Sequence, residues 1–234
     1  MMGNTAWRVI KWCNDHFGRI MILLGLYLVV GFVQLPIQFM KRQSSFLVNL
    51  FWFIVYFLGF ALAIWMARTI YFRYGYRHPH KLRWKDMELV VGCYTSAIVI
   101  EMVLNQLNFM FNRQVTSVNQ KLIIHNLQTS HFILIAMVIS MVCLSPILEE
   151  LVFRGYLMDA FFAPRFFWLP VIISGVVFAS GHLTSNFISF AVYVVLGMFL
   201  AYLYRKTGNL WASILMHAFN NLISVIPIVA MLLH

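Results

Sequence analysis

The sequence predicts an all-α fold, a polytopic bundle of about seven transmembrane helices, within six to eight. Three observations predict it. Of 234 residues, 62% are hydrophobic and only 10% charged, with a mean hydropathy of +0.82; a soluble domain of this length needs far more polar surface around its core. The apolar residues fall in long unbroken runs close to the roughly 20 residues that a spanning helix needs. They do not alternate in ten-residue units, as the strands of a membrane barrel would. Finally, the basic residues behind the net charge of +10 lie between the apolar runs. No single basic stripe forms, so the charge reads as orientation in a bilayer and not as a nucleic-acid surface.

Residues 1–19 form a cytoplasmic or interfacial N-terminal segment. Its charges are scattered, no apolar core precedes the first long run, and no small-residue cleavage site follows, so it is not read as a secretory signal. Trp7, Ile10 and Trp12 suit an amphipathic helix at the interface; a frayed cytoplasmic tail is the plainer reading. Seven candidate spans follow, at about 20–40, 46–67, 88–110, 131–151, 167–183, 186–204 and 210–232. Residues 20–129 hold the N-terminal spans and a basic loop, and 130–234 a second part of the same bundle. Aromatic residues, 17% of the chain, suit interfacial anchors.

The loop RTIYFRYGYRHPHKLRWKD carries Arg68, Arg73, Arg77, Lys81, Arg83 and Lys85 and is expected in the cytoplasm. Counting outward places the N-terminus, the connection 154–166 and Arg205-Lys206 on the same side, with the C-terminus outside. The inner side then holds 13 of the 17 Lys and Arg, leaving Lys41, Arg42, Arg113 and Lys121 outside. The stretch 152–170 is apolar enough to hide a short or re-entrant helix. Cys13, Cys93 and Cys143 are isolated and read as small apolar fillers, with neither disulfide nor thiolate-metal spacing.

Ionisable groups inside spans are costly, which makes them functional candidates. In LSPILEELVFRGYL, Glu150 and Arg154 are four residues apart and can pair on one helical face. Glu149 points about 100° away, toward a different neighbour, so one acid is neutralised locally and the other stays available. Pro146 cannot donate to the preceding turn and frees a carbonyl there. A helix-end ion pair with a snorkelling acid is the structural alternative. In VVFASGHLTSN, Phe178 and His182 share a face, and Ala179, Ser180 and Gly181 permit close packing; an interfacial histidine is the plainer reading. In LMHAFNNLI, His217 and Asn221 share a face inside a span, as a polar cavity or an interhelical hydrogen bond would need. Converging on one wet pocket, Glu149, His182, His217 and Asn221 suit hydrolysis of a peptide bond by a carboxylate-activated water, with donors opposite for the oxyanion.

EELVFR, FASGH and HAFNN match EExxxR, FxxxH and HxxxN, and their order and spacing resemble the CPBP family of intramembrane proteases, which includes Rce1-type CAAX endopeptidases and bacterial Abi proteins. The motifs lie within 149–221, and the resembling core runs from about 130 to the end. The resemblance implies that Glu149 activates water with His182 as its partner. It implies that His217 and Asn221 are oxyanion-side donors, that Glu150 and Arg154 are a supporting pair, and that Phe178 packs. It implies a peptide or membrane-protein substrate, in bacteriocin immunity or peptide processing, in a bacterial cell membrane.

No cofactor is expected. Two His and one Glu could ligate zinc, but HExxH, with ligands and base on one helix, is missing, so the metal-free glutamate mechanism is preferred. Two further readings stay open: a membrane immunity or binding protein without turnover, and a proton-relay transporter, against which no inverted repeat is found. One tension is left. By simple counting, His182 falls near the outer end of its span, on the order of 10 Å from the depth of Glu149 and His217.

Overall fold

All regular structure among the described residues is helical. The computed structural model describes the backbone of residues 4–40, 43–75 and 80–233, and the side chains of 15–40, 43–75 and 80–232. Helix α1 (Asn4–Phe32) runs through the boundary at residue 19 without a break; the side chains of Trp7, Ile10, Trp12 and Cys13 lie outside the described residues. A 3₁₀ turn with Pro36 (Leu35–Phe39) closes it. Ser45 caps α2 (Phe46–Tyr74), accepting from the backbone N–H of Val48. Helix α3 (Trp84–Asn112) opens on Asp86, which accepts from the Arg83 N–H at 2.9 Å, and ends on Arg113 in the left-handed region.

The short helix α4 (Val118–Leu127), capped by Ser117, is not expected from the apolar runs. Helix α5 covers His131–Phe161. After it come α6 (Trp168–Ser180), α7 (Phe187–Thr207, ended by Gly208 at φ 68°) and α8 (Leu210–Leu233).

Among the described residues, six helices are long and apolar enough to cross a membrane, and α6 is a shorter apolar one. Thirteen residues give α6 a length of about 20 Å, short of the roughly 30 Å hydrocarbon core. All seven expected spans therefore have a helix, but not of equal reach. Leu47, Trp65, Phe111 and Phe187 are among many large apolar side chains exposed on the outside. In a bilayer that surface faces lipid, and the protein is multi-pass. Cys93 is buried as expected, whereas Cys143 is exposed.

Two differences from the sequence reading matter for the site. Helix α5 continues ten residues past 151, so Arg154 is not in a cytoplasmic connection but wholly buried in the bundle. An apolar window stops at an arginine because it cannot foresee a buried partner. The short α6 ends at Ser180, so His182 follows a helix shorter than its neighbours, and its ring lies 4.7 Å from that of Phe178, itself 5.5 Å from the ring of His217. The separation expected from simple counting therefore does not keep His182 away from His217.

Helices α6 and α7 approach closely at two glycines. A Cβ on Gly197 would meet Gly175 Cα at 2.9 Å and Phe178 Cδ1 at 3.0 Å, and one on Gly175 would meet Met198 Cγ at 2.6 Å. These two residues, and not Ser180 or Gly181, allow the close packing, since Ser180 and Gly181 are exposed.

Candidate active site

Helix α5 changes register twice around its two glutamates. The α-helical turn Ser145–Glu150 lies between π-helical stretches Ser140–Leu144 and Leu151–Tyr156. The Ser145 N–H bonds to the Ser140 carbonyl, five residues back. Such widened turns inside α-helices are frequent at functional sites. Continuing that register, the Met141 carbonyl would need the N–H of residue 146, which is a proline and has none. Asn221 Nδ2 on α8 donates to that carbonyl at 2.8 Å.

One turn further, Arg154 Nη1 donates to Glu150 Oε1 at 2.8 Å, and both side chains have no exposed surface. Arg154 Nη2 donates to the Gly197 carbonyl at 3.0 Å, and its guanidinium carbon stands 4.6 Å over the Phe178 ring. The planar guanidinium reaches both acceptors through a fixed fork while its face lies on the ring, a geometry that a single ammonium nitrogen does not reproduce. Phe178 is the hub of this layer. Its ring lies 5.7 Å from Phe153, 4.7 Å from the His182 ring and 5.5 Å from the His217 ring.

His217 touches both glutamates. Its Nδ1 is 2.9 Å from Glu150 Oε1, while its Nε2 is 3.9 Å from Glu149 Oε2. The two adjacent acids therefore meet the same neighbour through different ring nitrogens, where the sequence suggested different neighbours. Glu150 Oε1 already accepts from Arg154, so a proton on His217 Nδ1 suits this contact, which fixes how the ring is held. Glu149 keeps 16% of its side chain exposed against 3% for His217. It is the accessible acid of the pair.

His182 reaches the same layer from the other side. Its Nδ1 lies 3.0 Å from the Phe178 carbonyl, which can only accept, so the proton sits on Nδ1 and Nε2 carries the lone pair. The ring stacks on Tyr193 at 4.3 Å and 22°, and the Tyr193 hydroxyl is 3.2 Å from Ser117 Oγ. Glu149, Glu150, Arg154, Phe178, His182 and His217 are thus drawn into one layer. Asn221 lies one helical turn from His217, against the backbone of Met141.

Tyr193, Gly175, Gly197, Gln34 and Tyr56 were not singled out from the sequence. Tyr56 OH lies 2.6 Å from Ser140 Oγ and 2.8 Å from Gln34 Oε1, and Gln34 Nε2 donates to Ser145 Oγ at 3.3 Å. A tyrosine and a glutamine inside apolar runs were the available signal. Two cavities lie elsewhere, one of about 330 Å³ by Asp15, Gly18, Arg19 and Tyr74. The other, of about 320 Å³, is lined by apolar side chains of α5 and α8 from Val138 to Ala230. Among the described residues, no group of three or more His, Cys, Asp or Glu is arranged to hold a metal ion.

Residues 131–223 match the family model of Type II CAAX prenyl endopeptidase Rce1-like proteins. That stretch contains all three motifs. The chain is also similar to the Bacillus subtilis (strain 168) protein named "Putative membrane peptidase YdiL", at 31% identity over 90 residues. The alignment covers 38% of this chain and 36% of that protein, so about a third of the relative's length is matched. No solved structure matches the chain with significance.

Proposed function

We propose, from the premise that residues 131–223 are an Rce1-like domain, that the protein is an intramembrane endopeptidase in which Glu149 activates water. The observation that carries this reading is the two-sided hold on His217, with Nδ1 tied to Glu150 at 2.9 Å and Nε2 turned toward Glu149 at 3.9 Å. With Glu149 and Glu150 ionised and Arg154 charged, the cluster has one negative charge in excess. One further proton, shared between Glu149 and His217, makes it neutral, which buried surroundings favour.

When that proton is on His217 Nε2, Glu149 is a carboxylate beside an N–H donor. The 3.9 Å gap is too long for a hydrogen bond between them. Each is then free to hold one of the two oxygens on a tetrahedral carbon. Glu149, aided by the lone pair of His182 Nε2, takes a proton from water as the water oxygen attacks the peptide carbonyl. His217 Nε2–H holds the developing oxyanion. Protonated Glu149 then gives its proton to the amine nitrogen as the C–N bond breaks, leaving a carboxyl and an amine terminus.

The reaction is proposed to be metal-independent, because among the described residues the side chains that could ligate are not arranged as a three-residue site. Its substrate is a peptide or membrane protein entering from the bilayer or the cytoplasmic side. Peptide processing and bacteriocin immunity both suit such an activity in a bacterial plasma membrane, with the N-terminus in the cytoplasm. The test is cleavage by purified protein in liposomes, using substrates found by comparing membrane proteomes with and without it. Cleavage that survives strong chelation supports the reading. Activity that returns only with added zinc overturns it.

A further inference from the structure

We propose that Asn221 acts on the backbone of α5 as a positioning residue. It supplies the hydrogen bond that Pro146 withholds from the Met141 carbonyl, and so holds the widened turn that sets the direction of Glu149. The inference rests on the reading of Glu149 as the catalytic acid and refines how that acid is placed.

In an α-helix the Met141 carbonyl would accept from the N–H of Ser145, but that N–H is given to Ser140. In the π register it would accept from residue 146, and proline has no N–H. Both intrahelical donors are therefore lost. A backbone carbonyl without a partner is disfavoured at a part-buried position inside a bundle. Asn221 Nδ2, at 2.8 Å, is the donor the fold provides.

Helix α8 thus clamps α5 at two levels, with His217 on the glutamates and, four residues later, Asn221 on the turn that leads to them. The opposite side of that turn is held as well, with Ser140 against Tyr56 and Ser145 against Gln34. Ser145 lies four residues before Glu149, on the same face. A shift at the widened turn therefore rotates the carboxylate away from His217.

A substrate-facing role and a backbone role for Asn221 respond differently to Pro146. If the amide serves the Met141 carbonyl, a residue at 146 that restores an N–H makes the amide dispensable. If it serves the oxyanion, nothing at 146 matters to it. The experiment measures kcat, KM and thermal unfolding in detergent for Asn221→Ala, for Pro146→Ala and Pro146→Leu, and for each double variant, on a membrane-peptide reporter.

Loss of this part-buried hydrogen bond predicts that Asn221→Ala lowers kcat by about 10- to 100-fold, with KM little changed. At least one Pro146 variant is expected to fold and cleave, and in that background Asn221→Ala is expected to cost less than about threefold, since the carbonyl is already satisfied. The proposal is overturned if Asn221→Ala cleaves like the parent, or if its full loss persists beside an active Pro146 variant. It is equally overturned if both Pro146 variants fold but do not cleave. Glu149→Gln, run alongside, separates the two levels. If Glu149→Gln is active, the site reading has failed; if it is inactive and no rescue occurs, only the role of Asn221 has failed.

Discussion

His217 Nδ1 lies 2.9 Å from Glu150 Oε1, the same oxygen that takes the Arg154 hydrogen bond at 2.8 Å. The second of the adjacent acids is therefore committed twice and fully buried. Replacing Glu150 by Gln strands the Arg154 charge without its counter-ion. Removing one partner of a buried pair costs about 3–5 kcal/mol, and Glu149→Gln, at a partly exposed acid outside that pair, is expected to cost less than about 1 kcal/mol. Thermal unfolding in detergent checks the order: Glu150→Gln melts far below the parent, Glu149→Gln close to it. Equal melting temperatures for the two variants would refute the division of labour.

Arg154→Lys keeps the charge but not the fork. A single ammonium nitrogen does not reproduce the fork by which two separate nitrogens reach Glu150 and the Gly197 carbonyl over the Phe178 face. Leaving the Gly197 carbonyl unpaired predicts a loss of about 1–3 kcal/mol, and cleavage is expected to fall with it. A lysine variant as stable and active as the parent would show that the contact to α7 is dispensable.

Gly197→Ala tests the close approach of α6 and α7. The added methyl meets Gly175 Cα at 2.9 Å and Gly175 O at 3.0 Å, backbone atoms that cannot rotate away. Overpacking of this kind costs about 1–3 kcal/mol. Because Gly197 also supplies the carbonyl for Arg154, cleavage should drop more than at a lipid-facing site such as Leu47→Ala. Equal effects at the two positions would contradict this.

Much of the candidate site was legible because charge inside an apolar run stands out. Glu149, Glu150, Arg154, His182, His217 and Asn221 needed only spacing and a hydropathy window to be noticed. The two nitrogens of His217, one for each acid, could not be read, since adjacent helical residues point apart and only the fold shows a ring between them. Glycines 175 and 197 gave no signal, as close approach depends on a partner far away in sequence. The spans were readable in number but not in length. Arg154 ended the apolar window early, whereas the helix continues to Phe161 because Glu150, Gly197 and Phe178 hold that side chain. The short α6 was masked by apolar residues continuing to Leu183, past the helix end at Ser180.

Tyr193→Leu tests the placement of His182. The Tyr193 ring stacks on the imidazole at 4.3 Å, and such aromatic contacts are worth about 0.5–1.5 kcal/mol. Removing the stack predicts a rate lower by about 2- to 10-fold, whereas Tyr193→Phe, which keeps the ring, stays closer to the parent. Steady-state cleavage rates decide it. Leucine and phenylalanine variants with the same rate would mean that the stack does not orient His182.

The central claim is that the Glu149 carboxylate removes the proton from the attacking water. Glu149→Gln preserves shape and removes the base, so single-turnover cleavage of a membrane-embedded peptide by purified, folded variant tests it most directly. The account predicts a rate at least about 100-fold below the parent, the lower end for a lost general base, with the thermal transition retained. Cleavage by Glu149→Gln at the rate of the parent would contradict it.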